Sequence, residues 1–200
     1  VRDTINKLRA KNLDDDAFIK KFSDIFKENK MESISEGTFF SSILFISALD
    51  ETNKIETFLE KFENAESPQM QGRYRAVLGQ VRDQNASKKI VEFMLDGRIR
   101  GADCPYILAS MITNKYIGKK SWKVIKENFN DLLSVMPDWT ASRILDALPA
   151  IYDEEFAGDI KNFIKKNPLP SSEKLAAQKL ERLEANIEFM DNLKEVNNET

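Results

Sequence analysis

Apolar residues return at helical spacing through nearly the whole chain, and no stretch alternates apolar and polar residues long enough to make a half-buried strand. With seven glycines and no Asn-Gly or Asp-Gly hairpin turn, since Asp96-Gly97 closes a helical stripe rather than joining two strand patterns, hairpin signals are also absent. The stripes run Phe18, Ile19, Phe22, Ile25, Phe26 behind the acidic start Asp14-Asp15-Asp16; then Ile55, Phe58, Leu59, Phe62; then Met70, Tyr74, Val77, Leu78, Val81. Ile90, Val91, Met94 and Leu95 precede Gly97 as a C-terminal stop, and Ile107, Leu108, Met111 and Ile112 follow Pro105 in a first-turn position. Thr38 to Leu49 is apolar on nearly every side, which predicts a helix covered on both flanks.

In the second half, Trp122, Ile125, Phe129, Leu132, Leu133 and Met136 form a stripe closed by Pro137, and Trp139, Ile144, Leu145 and Leu148 another closed by Pro149. Asp153 caps a helix burying Phe156, Ile160, Phe163 and Ile164, which the Asn167-Pro168-Leu169-Pro170 corner separates from the last one. There Ala176, Leu180, Leu183, Ile187 and Met190 step by four, three, four and three residues. Helix starts recur every ~17 residues, so a helical pair repeats roughly every 35, the period range of α-solenoids. The expectation is an all-α, armadillo/HEAT-like stack of about ten helices in antiparallel pairs, a single domain over 1–200 with a frayed tail at 195–200.

The chain contains no histidine, which removes both the imidazole pair of a His-Glu-x-x-His zinc site and the base of a Ser-His or Cys-His dyad. Catalysis by this segment alone, and a metal site within it, are not expected. Cys104 is the single cysteine; it forbids an intramolecular disulfide and reads as a buried thiol, leaning towards a cytoplasmic setting. No apolar run reaches the ~20 residues of a membrane span. Thirty Lys and Arg against thirty-three Asp and Glu leave a net charge of −3, with no basic field for nucleic acid. The basic pairs Lys88-Lys89, Lys119-Lys120 and Lys165-Lys166 read as helix-end cations that offset the dipole or face water. No carboxylate set has calcium-loop spacing.

The landmarks from Ser121 to Asn192 are more specific. A Trp is followed six residues later by Asn and an aromatic (Trp122, Asn128, Phe129), and Ser142-Arg143 opens a helix. A Phe-containing helix ends in Asn-Pro-x-Pro (Phe163, Asn167, Pro168, Pro170), and the last helix carries Asn-x-x-aromatic (Asn186, Phe189). Upstream, Val77-Leu78-Gly79, Phe93-Met94-Leu95, Ile99-Arg100 with Asp103, and Asn114 stand in the matching order, fading before about Tyr74. This order resembles the C-terminal helical domain of zinc aminopeptidases of the aminopeptidase N, puromycin-sensitive and tricorn-interacting group. Ala102 stands where that family usually has Gln, and Phe129 and Phe189 replace what is often Trp, swaps expected to keep aromatic packing.

The resemblance implies most of the second half of such a domain, excised from an enzyme whose zinc, catalytic domain and other domains lie outside this chain. It further implies that the domain shapes a chamber through which peptide substrates reach the zinc. The rival reading is a free-standing α-solenoid scaffold that binds a protein partner in its groove. Trp122, Trp139, Asn128 and Asn186 read as packing and tying residues. The one candidate substrate-binding residue is Arg143, off the apolar stripe and able to offer a bidentate fork to a peptide carboxylate, with an ion pair to Asp146 as its structural counterpart.

Overall fold

A computed structural model describes residues 15–28, 37–170 and 172–198; Asp14 of the acidic start and residues 199–200 of the tail lie outside them. Among the described residues every regular element is a helix. The chain divides into two compact units, Val1–Phe93 and Met94–Thr200.

In the first unit α1 (Asp16–Lys27) packs on α2 (Gly37–Ala48), α2 packs on α4 (Pro68–Leu78), and α3 (Ile55–Glu63) packs on α4. Asp15 caps α1, accepting the Phe18 N–H at 2.9 Å, which satisfies one of the donors a helix start leaves open. Ser67 does the same for α4 through Met70 at 3.2 Å, with Pro68 in the first turn. The expectation for Thr38 to Leu49 holds over α2, whose Phe40, Ile43, Leu44, Ile46 and Ala48 are buried on successive sides. Each fully buried side chain of this size contributes about 1.5–3 kcal/mol. Phe26 of α1 stacks on Phe58 of α3 with centroids 5.1 Å apart, and Phe40 meets Tyr74 edge-on at 6.3 Å. Asp83, itself buried, accepts the N–H of Ile55 at 3.1 Å, because Lys54 supplies no side-chain cap to α3.

The helix α5 (Ala86–Leu95) ends as read, with Gly97 at φ +74°, a backbone conformation that side chains rarely adopt. In the second unit α6 (Cys104–Ile112) packs on α7 (Gly118–Glu127) and on a 3-10 helix (Ser142–Ala150), which in turn packs on α11 (Glu173–Asn198). The short α8 (Phe129–Val135) follows α7, α9 (Asp138–Ala141) leads into the 3-10 helix, and α10 (Glu154–Lys166) packs on α11. Within each unit helices pack on helices in pairs, the all-α arrangement expected of an α-solenoid-like stack. The Gly101 backbone passes Val135 so closely that an added Cβ would stand 2.0 Å from the Val135 oxygen, which explains a glycine beside that turn.

Three expectations are corrected here. The stripe from Trp122 to Met136 belongs to two helices, because Asn128 takes φ −115° and donates its side-chain amide to the Val124 carbonyl at 2.8 Å, competing with the backbone ladder. Trp139 does not join the stripe of Ile144, Leu145 and Leu148; it is 75% exposed, on the four-residue α9. Pro149 sits inside the 3-10 helix rather than beyond its end.

Candidate functional site

The 3-10 helix that carries Arg143 has three residues per turn, so positions three apart stand one above the other. Ala141, Ile144 and Ala147 are buried, as are Leu145, Leu148 and Ile151, while Arg143 and Asp146 share an exposed face. The same period places the Arg143 guanidinium 3.8 Å from the Asp146 carboxylate, a long ion pair. Lys179 of α11 holds that carboxylate more closely, at 2.8 Å. Arg143 is half exposed, so its remaining donors face water. Asn186 of α11 donates to the Pro149 carbonyl at 2.7 Å, fastening the last helix to the end of the 3-10 helix. That is the tying role expected of it.

The far end of the same 3-10 helix borders a groove of about 490 Å³, formed with the turn between α6 and α7. Lys115, Tyr116, Lys119 and Lys120 line one side, and Ile151, Tyr152, Asp153 and Phe156 the other. Lys119 bonds Asp153 at 2.7 Å; this hydrogen bond raises the Lys119 ammonium above its ordinary pKa and lowers the Asp153 carboxyl below its own. Asp153 also caps α10 through the Phe156 N–H at 2.8 Å, as expected. The Lys115 ammonium lies 4.8 Å from the Tyr116 ring centre. The groove therefore offers cations beside aromatic walls, a surface suited to an anionic, extended ligand. Its residues lie about forty apart in the sequence, so no local pattern marked it. Lys119 and Lys120 stand in the first turn of α7, where the helix dipole opposes them, and Lys88 and Lys89 stand early in α5, so neither pair offsets a dipole: Lys119 pairs with Asp153 and Lys89 with Glu92, while Lys88 and Lys120 are exposed. Lys165 and Lys166 do occupy the last turn of α10.

Trp122 is buried as its stripe required, at 2% exposure, with its ring edge-on to Phe163 at 5.2 Å. Its indole N–H donates to Asp159 at 3.0 Å, and Lys126 reaches the same carboxylate oxygen at 2.6 Å. Asp159 was not singled out in the sequence because its partners are more than thirty residues away. Phe129 meets Phe163 edge-on at 5.0 Å. Phe189, by contrast, is 61% exposed, so the aromatic packing expected of it is absent: it lies off the face of Leu183, Ile187 and Met190 that α11 turns inward.

The sequence model of the family described as the ERAP1-like C-terminal domain matches residues 2–185. The chain belongs to that family. The match reaches well upstream of Tyr74, where the quoted landmarks fade, so the first unit is part of the family's domain as well. Among relatives, aminopeptidase M1-B of Oryza sativa subsp. japonica is 22% identical over 184 residues, covering 88% of this chain and 20% of its own length. The ERAP1-like domain here thus spans about a fifth of the length of that relative.

Among the described residues the zinc implied by the aminopeptidase resemblance finds no fitting donor set. Histidine is absent from the sequence, and among the described residues no group of three or more Cys, Asp and Glu is placed to hold a metal. Cys104 is buried, and burial, with the nearby Asp103 carboxylate, pushes its thiol up to about 12, so a thiolate ligand is unfavourable there. Among the described residues no helix is long and apolar enough to cross a membrane.

Proposed function

We propose that this ERAP1-like domain is the C-terminal helical domain of a zinc-dependent aminopeptidase, where both units act as one domain that shapes the peptide chamber and limits access to a catalytic domain outside the chain. The observation that carries this reading is the family match over residues 2–185, supported by a relative whose name is that of an aminopeptidase. Chemistry then belongs to residues elsewhere in the parent, where a bound zinc would supply Lewis-acid chemistry for hydrolysis of the first peptide bond. Partners within the parent are its catalytic and other domains, and its substrates are peptides. The single thiol favours a cytoplasmic setting.

Within this reading Arg143 receives the distal carboxylate or an acidic side chain of a long peptide. Two features support it: the weak hold of Asp146 on Arg143, and the cationic, aromatic groove at the other end of the same helix. Seven residues separate Arg143 from Ala150, roughly 14 Å at about 2 Å per 3-10 residue. An extended peptide covers that distance with about four or five residues.

The test is Arg143→Ala in the parent enzyme, assayed on peptides of increasing length and on a single-residue chromogenic substrate, with a melting curve on the same preparation. A buried charge-assisted hydrogen bond of about 1.5–3 kcal/mol gives roughly a tenfold to hundredfold loss of kcat/KM for long peptides alone. Equal losses on both substrates with a lowered midpoint would show that Arg143 is scaffold.

A further inference from the structure

The helices α10 and α11 line a second groove of about 430 Å³, in the volume range of ligand clefts, roughly 300–1,000 Å³. Its floor is Ala157, Leu183 and Ile187. Its rim carries Glu154, Glu184, Glu188 and Asp191 against one cation, Lys161, which is paired with Glu184. Gly158 lies in the middle of α10 and on this groove, and a Cβ added there would meet nothing within 4 Å. Neither a tight turn nor a close neighbour in this fold requires that glycine, although a glycine inside a helix weakens it. Next to Ala157 it leaves the α10 backbone open to close approach by a third helix.

We propose that this groove is a docking site for an amphipathic, basic helical segment of a partner protein. The segment sets an aliphatic stripe onto Ala157, Leu183 and Ile187 and its flanking lysines or arginines against the acidic rim. The occupant is fixed by complementarity of two kinds. The floor accepts apolar side chains spaced three and four apart on one face of a helix, and a four-to-one excess of carboxylates over ammonium selects positive flanks. This surface lies on α10 and α11, apart from the Arg143 face, and does not depend on what the parent enzyme hydrolyses.

The test uses the 200-residue chain and a fluorescein-labelled amphipathic peptide of Leu and Lys, about fourteen residues or four turns long. Its counterpart, with Glu in place of every Lys, serves as control. Anisotropy should show saturable binding of the Lys peptide that weakens with salt, and at least roughly tenfold weaker binding of the Glu peptide. Gly158→Leu should fill the groove and weaken the Lys peptide at least roughly tenfold while helicity and melting midpoint hold or rise. Glu188→Lys, at an exposed position, should weaken it as well and decides the matter if Gly158→Leu does not fold. Absence of saturable binding, equal binding of the two peptides, or unchanged affinity in a folded Gly158→Leu or in Glu188→Lys would overturn the proposal.

Discussion

Truncating Phe129 tests the packing that joins α7, α8 and α10. The ring is 7% exposed and sits edge-on to Phe163, whose own ring lies edge-on to Trp122. Phe→Ala in a core costs about 3–5 kcal/mol; Phe129 opens α8 at the margin of the core, so about 3 kcal/mol is expected. Roughly 0.5–1.5 kcal/mol of that belongs to the ring pair. Phe129→Leu keeps most of the apolar area and should lose about 1 kcal/mol. A double-mutant cycle with Phe163→Leu should return a coupling of about 0.5–1.5 kcal/mol. Urea titration followed by tryptophan emission reads this unit directly, because Trp122 and Trp139 both belong to it and only Trp122 is buried. The exposed Lys166→Ala serves as a surface control, at under about 0.5 kcal/mol. A loss below about 1 kcal/mol for Phe129→Ala, or no coupling with Phe163, would refute the assignment of this aromatic cluster to the core.

Gly101→Ala should cost at least about 2 kcal/mol, since its Cβ would meet the Val135 carbonyl, whereas Gly158→Ala should stabilise by about 0.5–1 kcal/mol; urea midpoints of the two variants check the opposite signs. For Asp50, burial pushes the carboxyl up, but hydrogen bonds from Ser23, Thr52 and Lys27 outweigh it and hold the pKa at about 2 against an ordinary 3.8. A lowered folded-state pKa stabilises above the unfolded value and is lost as pH falls through the folded one. Stability should therefore drop between pH 3.8 and about 2, and Asp50→Asn should flatten that part of a pH-melt series. Cys104, buried and raised to about 12, should react with a disulfide reagent in the native chain far more slowly than after denaturation; fast native labelling would contradict its placement.

The helices were legible because each buried face is written locally, as in Ile55, Phe58, Leu59 and Phe62, and because Asp15, Asp153, Gly97 and Pro105 mark helix ends by their own chemistry. Trp139 falls outside the stripe expected for it because the segment that follows turns with a period of three rather than 3.6. The 3-10 helix shows that shorter period in Ala141, Ile144 and Ala147 and again in Leu145, Leu148 and Ile151. Phe189 is exposed because it lies off the apolar stripe of its own helix, which a matching family landmark does not alter. Arg143 was found as an off-stripe residue, but its competition with Lys179 for Asp146 depends on a helix more than thirty residues away. The two grooves leave no local pattern in the sequence, since each is assembled from segments that touch only after folding.

The most direct measurement of the chamber reading is the dependence of kcat/KM on peptide length in the parent aminopeptidase, with and without this ERAP1-like domain, alongside zinc content and hydrolysis of a single-residue substrate. As a chamber-shaping role requires, the domain alone should hold no stoichiometric zinc and hydrolyse nothing. Its removal should leave zinc in the remainder and change the length profile while the single-residue substrate is turned over much as before. Retention of about one zinc per domain with chelator-sensitive activity would contradict it, as would a length profile that is the same with and without the domain.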